Sequence, residues 1–189
     1  LNYRRVPLRE TLDFDQALTT LVEGATELIG ADRGSVLMLD EATGTLSIRV
    51  ARGLSDEIVR STRIRLGEGI AGQVAATGKP IALQDVRTHP GWKKKQPASR
   101  SDQYADFSAL CVPLEIHGTV RGVMTFNQKR SGKPFDDDDL EFAGLIANQA
   151  AVVLFSAGLH RHFLDKQVLE QELKIARAIS FPPGYGLEL

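Results

Sequence analysis

Three glycines, Gly67, Gly69 and Gly72, have the spacing G-x-G-x-x-G within the stretch LGEGIAGQVAATGKP. This spacing occurs in loops whose backbone N–H groups bind the phosphates of a dinucleotide. Such a loop follows a buried strand of a parallel sheet and precedes an acidic residue by about 20 positions. Here the preceding run, RIRL, alternates so that one face is exposed, and Asp85 follows Gly72 by only 13 residues. The pattern therefore favours glycines that permit a tight turn and close helix–sheet packing. The free N–H groups at the start of the following helix could still bind a small anion or a polar ring edge.

The histidines and the cysteine do not form a recognisable metal or redox site in the sequence. His117 falls in a predicted turn, His89 precedes a proline, and two further histidines, His160 and His162, are two residues apart on a predicted helix, where they do not share a face. Cys111 lies in the middle of the predicted strand ALCVPL, where a small buried hydrophobic residue is expected. We interpret all five as structural or surface residues.

Two charge clusters have structural interpretations. The consecutive aspartates 136–139 lack the alternating spacing of a calcium loop, and they suit the positive end of a helix dipole. The lysines 93–95 lie in a long polar connection, 87–106, which we interpret as a solvated lid rather than a nucleic-acid contact. If the site under it holds an anion, these lysines could close over it. The sequence contains no recognisable catalytic set.

Composition limits the classes of protein that fit. The chain has 189 residues, a net charge of −1 and one cysteine, which predicts one sizeable domain with extensions and excludes a disulfide framework. The balance of charge gives no field for nucleic acid or an anionic membrane. We find no signal peptide and no apolar run long enough for a membrane span, so we expect a cytoplasmic protein. Because the chain begins at Leu1 and stops abruptly after GYGLEL, we expect an excised piece of a longer protein.

Hydrophobic periodicity predicts the elements that must position any site. Helical spacing begins at Phe14 and ends at Gly30. Two β-hairpins follow from alternating runs around turn residues, and the glycine-rich stretch leads into a short helix. The predicted strands and the short helix are Ser35–Asp40, Leu46–Ala51, a strand ending near Leu66, the helix Ile70–Ala76, a strand within PIALQDV, Ala109–Ile116 and Arg121–Asn127.

The C-terminal part predicts an unusually long helix from Leu140 to about Ser180. Its first half can cover a sheet, whereas its second half has no sheet left to cover. An approximate heptad stripe therefore predicts a coiled coil with a second copy. The stripe consists of Leu145, Val152, Leu159, Phe163, Leu169, Leu173 and Ala176.

Four separated motifs resemble those of GAF domains: ADRGSVLMLDEATGTLSIRVARG, IRLGEGIAGQVAATGKPIALQDVRTHP, SALCVPLEIHGTVRGVMTFNQK and PFDDDDLEFAGLIANQAAVVL. The resemblance covers residues 12–157 in order. It implies an α+β, GAF/PAS-like fold with an antiparallel sheet of about six strands, terminal helices on one face and a ligand pocket on the other. It also implies a non-enzymatic sensor of a small molecule or nucleotide. Family members that reduce methionine sulfoxide rely on several cysteines, and this chain has one.

The resemblance extends to particular site residues. Ser35 matches a serine of the cyclic-nucleotide-binding members, and Ile70 and Ala71 match their helix contacts. Ala51 and Arg52 stand where those members have an aromatic–acid pair, and Thr125 stands where they have an acid, so the purine-reading groups are absent. Arg52 instead indicates an anionic or carbonyl ligand. The long connection contributes two further candidate ligand residues, Tyr104 and Asp106.

A second family signature, N-K-x(n)-F-x3-D-E, is incomplete. Gln128-Lys129, Phe135 and Asp139 match it, whereas Leu140 replaces the glutamate. Further on, LEQELKIARAI resembles the linker before PP2C-type phosphatase domains of bacterial regulators.

The sequence thus predicts a small-molecule-sensing regulatory domain of a bacterial signalling protein, with neither a certain cofactor nor a metal. The predicted divisions are an arm (1–11), the GAF-like domain (12–157), a signalling helix (158–181) and the start of a linker (182–189). Expected partners are a second copy, a small-molecule ligand and a covalently linked effector domain, but neither nucleic acid nor membrane. The alternatives are a dimerisation scaffold with a vestigial pocket and a cyclic-nucleotide-binding domain.

Overall fold

Six strands form one antiparallel sheet in a computed structural model that describes the backbone of residues 8–90 and 107–180 and the side chains of 14–90, 107–156 and 169–173. The order across the sheet is β3-β2-β1-β6-β5-β4. The predicted α+β fold with about six antiparallel strands is confirmed. The strands are β1 (Ala31–Asp40), β2 (Thr45–Arg52), β3 (Arg63–Arg65), β4 (Ile81–Leu83), β5 (Ala109–Ile116) and β6 (Thr119–Lys129).

Both predicted hairpins are present, and their turns use residues that tolerate a left-handed backbone. Gly44 between β1 and β2 has φ +62°, and the turn between β5 and β6 places His117 at φ +50° and Gly118 at φ +74°. Two successive residues with positive φ are typical of the tight turn that matches the twist of the flanking strands. His117 therefore has a turn position, as the sequence predicts.

The helices of the sheet region are α1 (Leu8–Ile29), α2 (Asp56–Ser61) and α3 (Gly69–Thr77). The predicted start of α1 at Phe14 is wrong, since the helix begins at Leu8, inside the predicted arm. The missed signal is Pro7, a residue favoured at helix starts because it has no N–H to leave unpaired. The sequence prediction also missed α2, whose cap Ser55 accepts a hydrogen bond from the Ile58 N–H at 3.4 Å.

The sheet has two differently packed faces. On one face, which we call the α1 face, α1 packs against β1 and β2. Gly34 allows this approach, because a Cβ there would lie 2.1 Å from Thr26 Oγ1 and 3.4 Å from the Phe126 ring. On the opposite face, the α3 face, helix α3 packs against β5, β6 and β3. The buried residues of that face are Leu37, Leu46, Ala71, Val74, Ala75, Cys111 and Val123.

A last helix, α4, extends from Asp137 to Ser180. Its N-terminus is capped as the sequence predicts: the Asp139 N–H donates to Asp136 Oδ1 at 3.0 Å and the Asp136 N–H donates to Asp139 Oδ2 at 2.9 Å. This reciprocal arrangement is a capping box. The chain divides into two compact units, Leu1–Val153 and Leu154–Leu189, so α4 begins in the first and continues into the second.

One segment of α4, Asp137–Ser156, has the length and the mean hydropathy (1.2) of a membrane span, and 22% of this segment is buried. The expectation that no run has these properties is therefore wrong by that criterion. Length and composition alone do not assign a span, since a core helix of a globular domain has the same properties. Ala143, Ala147 and Ala150 of this segment are 0–1% exposed, at the spacing of one helix face.

Candidate functional site on the α3 face

A row of small and polar residues crosses the α3 face. Ser35 of β1 pairs in register with Ala51 of β2 on one side and with Thr125 of β6 on the other, and Thr125 pairs with Cys111 of β5. Ser35 and Thr125 also join their hydroxyls, with 2.8 Å between Oγ and Oγ1. Three of the predicted site residues, Ser35, Ala51 and Thr125, are thus side by side.

Two further predicted contacts, Ile70 and Ala71, are in the first turn of α3, which packs on the same face. Ala71 belongs to the buried cluster that contains Cys111, and Ile70 packs against it. Cys111 is the register neighbour of Thr125. The structure therefore brings the start of α3 to the same face as the hydroxyl pair.

The glycine pattern has the structural role that the sequence favours. Gly67 and Gly69 have φ +81° and +61°, values that other residues rarely adopt. A Cβ on Gly72 would lie 2.4 Å from the carbonyl oxygen of Arg65. Gly67 N–H also donates to the Gly72 carbonyl at 2.8 Å. The three glycines thus let α3 begin directly against β3, in an antiparallel sheet that has no dinucleotide-binding βαβ unit in the part that the structure describes.

Arg52 is the one described site candidate whose side chain does not lie on the α3 face. Its guanidinium extends over the α1 face, where Nη2 binds Glu27 Oε2 at 2.9 Å and Nη1 donates to the Glu23 carbonyl at 3.0 Å. Since side chains alternate along a strand, Arg52 points away from the face to which Ala51 belongs. Its predicted place in the ligand site is therefore corrected: Arg52 ties β2 to α1. Tyr104 and Asp106, like lysines 93–95, lie outside the described residues.

Cys111 is buried with 1% of its surface exposed. This burial raises the pKa of its thiol well above the usual range, because a thiolate is poorly solvated there. A neutral, inaccessible thiol is a poor nucleophile. Cys111 is therefore a packing residue, as the sequence predicts.

The incomplete second signature forms one cluster where β6 leads to α4. Lys129 and Asp139 form an ion pair, with their side chains 14% and 13% exposed. The Lys129 ammonium also lies 5.7 Å from the centre of the Phe135 ring. Gln128, which stands at the asparagine position of the signature, has φ +59°, a conformation that asparagine adopts more readily than most residues. The signature thus describes a structural joint between the sheet and the last helix.

Sequence reasoning missed two partly buried polar residues on the α3 face, Arg33 and Asn127. They pair in register with each other, and each lies two residues along its strand from Ser35 or Thr125. Residues two apart on a strand share a face. Counting two positions back from Ser35 and two positions on from Thr125 would have found both.

An antiparallel six-stranded sheet with helices packed on both faces is the architecture of a GAF-type regulatory module. The chain belongs to the GAF domain family, whose model matches residues 11–154.

Similar curated proteins include a bacterial regulatory protein and a bacterial nitrogen fixation protein. The Nif-specific regulatory protein of Azospirillum lipoferum is 28% identical over 144 residues, which cover 75% of this chain and 23% of that protein. The nitrogen fixation protein AnfA of Azotobacter vinelandii is 27% identical over 143 residues, covering 74% and 26%. The chain spans about a quarter of the length of these curated relatives.

Solved structures support the fold. The GAF domain from a phosphoenolpyruvate-protein phosphotransferase (ptsP) of Coxiella burnetii superposes with a TM-score of 0.70 at 23% identity, covering 82% of this chain and 93% of that one. The free methionine-R-sulfoxide reductase of Neisseria meningitidis, solved in complex with its substrate, has a TM-score of 0.64 at 22% identity, covering 80% and 86%. GAF domains are typically non-catalytic, although the Neisseria protein that shares the fold is a methionine sulfoxide reductase.

Proposed function

We propose that this chain is a small-molecule-sensing GAF domain of a bacterial cytoplasmic signalling protein. Its ligand binds on the α3 face, and its terminal helices transmit the bound state to an effector domain. The observation that carries the proposal is the hydroxyl pair of Ser35 and Thr125, which lies next to Ala51, a residue with only a methyl side chain. The row combines hydrogen-bonding groups with small side chains, and it borders the apolar cluster under α3. Ligand sites commonly combine an apolar wall with a few placed polar groups.

The joint around Lys129 supports a route from this site to α4. Thr125 and Lys129 belong to the same strand, and the ion pair of Lys129 with Asp139 links the end of that strand to the first turn of α4. A ligand that favours one position of β6 would thereby favour one position of the helix start. Only a ligand with different affinities for the two states can shift the equilibrium between them.

The buried state of Cys111 argues against a redox enzyme, the activity named for the Neisseria relative. The purine-reading positions argue against the cyclic-nucleotide alternative, since Ala51 and Thr125 have neither an aromatic ring nor a charge. Any enzymatic activity would then reside in a linked effector domain.

The first test is native mass spectrometry of the purified chain, followed by denaturing mass spectrometry of any released molecule. We expect a co-purifying small molecule in the wild type. Ala51→Leu adds bulk on the row and should abolish its retention, whereas the matched variant Ala42→Leu changes the exposed β1–β2 turn and should retain it. A wild type without any bound molecule, and without a change in melting temperature on adding metabolites of the host cytosol, would contradict the sensor function.

A dimerisation scaffold is the second candidate, favoured by exposed apolar residues on α4. Leu145 and Val152 are 58% and 60% exposed in the first unit, and Leu169 and Leu173 are 59% and 51% exposed in the second. These four belong to the predicted heptad stripe. Leu169→Glu with Leu173→Glu should convert a dimer to a monomer by light scattering, whereas Glu170→Gln should not. An unchanged mass in the double variant would refute pairing through this part of α4.

A further inference from the structure

The α3 face changes from apolar to polar along β1 and β6. Under α3, the residue pair in register is Leu37 with Val123, and both are buried. The next pair on this face is Ser35 with Thr125, and the one after that is Arg33 with Asn127. A molecule on this face would therefore meet hydrocarbon at one end, hydroxyls in the middle, and a guanidinium with an amide at the other end.

The orientation of Arg33 and Asn127 follows from their neighbours. Gly34 faces α1, because a Cβ there would meet Thr26 and the Phe126 ring. Phe126 is on the same α1 face, so the flanking residues Arg33 and Asn127 belong to the opposite one. Both residues are partly buried, so water competes less for hydrogen bonds around them than at a fully exposed surface.

The four polar positions just named on β1 and β6, Arg33, Ser35, Thr125 and Asn127, include one cation and no acid. A second cation of the adjoining region, Arg87, is neutralised by Asp85, whose Oδ2 lies 2.6 Å from Nη2, and it stacks 3.9 Å from the centre of the Phe107 ring. Arg33 is the one charged side chain among these four positions.

We propose that Arg33 and Asn127 form the charged end of the ligand site and bind the oxyanion group of a small organic anion. The rest of the ligand lies over Ser35 and Thr125 toward α3. The planar guanidinium offers paired N–H donors that match two oxygens of a carboxylate or a phosphate ester, and the Asn127 amide adds a further donor. Arg33 also interacts within the chain, so the anion adds to or replaces an existing contact. This inference rests on the proposed ligand site.

The probes are straight-chain mono- and dicarboxylates of two to six carbons, the corresponding amides, inorganic phosphate, and cyclic AMP and cyclic GMP. Binding to the full chain is measured by calorimetry and by the shift in melting temperature. We expect at least one anion to bind and its uncharged amide not to bind. Preference for an acid identifies a carboxylate ligand, and preference for a cyclic nucleotide or phosphate identifies a phosphate ligand.

Arg33→Gln should weaken that binding about 10- to 100-fold, the loss expected for a charge-assisted hydrogen-bond pair. Arg33→Lys keeps the charge but loses the two parallel N–H donors of the guanidinium. The affinity of this variant for the anion should therefore lie between those of Arg33→Gln and the wild type. Asn127→Leu should cost about 3- to 10-fold, the loss expected for a neutral hydrogen bond. Arg60→Gln makes the same charge change on the exposed helix α2 and should bind like the wild type.

Three results would overturn the anion inference: equal binding of an acid and its amide, unchanged binding by a folded Arg33→Gln protein, or no binding of any anion in the series. The proposed sensor function fails separately. If the wild type retains a neutral molecule that Ala51→Leu releases and Arg33→Gln does not, the ligand site stands and its charged end is refuted.

Discussion

The two faces of the sheet are built from the same strands but differ in how they are filled. The α1 face contains large, fully buried side chains such as Phe126 and Leu18, and α1 is tied to the strands by ion pairs. The α3 face buries two alanines and Cys111 beside leucines and valines, contains no buried aromatic ring in this cluster, and carries the hydroxyl pair. The α1 face is held by a large buried ring and by ion pairs, whereas the α3 face presents the polar row to which the proposed ligand would bind.

The largest expected effect is a difference in the free energy of unfolding between substitutions on the two faces. Phe126→Ala on the α1 face should lower the free energy of unfolding by about 4 kcal/mol, because a large, fully buried ring is lost. Cys111→Ala on the α3 face should lower it by only about 1 kcal/mol, since a small thiol is removed. Urea unfolding followed by circular dichroism measures both values. Equal losses would remove the proposed difference in packing.

A smaller effect concerns the hydroxyl pair. Ser35→Ala and Thr125→Val should each cost about 1 kcal/mol, because each leaves its partner's hydroxyl poorly satisfied. The double variant should cost less than the sum of the two, since it removes both hydroxyls together. Strict additivity in this double-mutant cycle, again from urea unfolding, would indicate that the 2.8 Å contact adds no stability.

The elements were largely predictable because their signals are local. The hairpins follow from alternation around Gly44 and His117-Gly118, and the capping by aspartates follows from their position before a helix. The start of α1 and the whole of α2 were missed, since the periodicity of α1 fades before Phe14 and α2 has only six residues. Single residues mark these boundaries, a proline before α1 and the capping Ser55 before α2, and a reading of hydrophobic periodicity does not register them.

Candidate site residues could be matched one by one in the sequence, but the face on which each side chain lies could not. Ser35, Ala51 and Thr125 meet because they share one register row. Arg52 follows Ala51 directly, so strand alternation alone sends it to α1. The sequence position of Arg52 suggested a ligand contact, and only the geometry of the two faces separates it from the row.

The smallest expected effect tests the ties of the α1 face through pH. The Glu27 carboxylate accepts hydrogen bonds from Arg130 Nη1 at 3.2 Å and from Arg52 Nη2 at 2.9 Å. The bond from Arg130 and, after it, the bond from Arg52 lower the pKa of the Glu27 carboxyl. A carboxyl whose pKa is lower in the folded state stabilises the fold when the pH is above its unfolded value, and the contribution disappears as the pH falls through the folded value.

The stability difference between the wild type and Glu27→Gln should therefore be small but measurable at pH 7. It should shrink below about pH 4.3, the usual glutamate range, and also in about 0.5 M NaCl, because exposed ion pairs are screened. Glu23→Gln is the matched control, since Arg52 binds the backbone carbonyl of Glu23 and the substitution leaves that carbonyl in place. A pH-independent difference for Glu27→Gln would show that Arg52 and Arg130 hold the end of α1 through the backbone carbonyls of Glu23 and Glu27, to which they donate at 3.0 Å and 3.1 Å, and not through the Glu27 carboxylate.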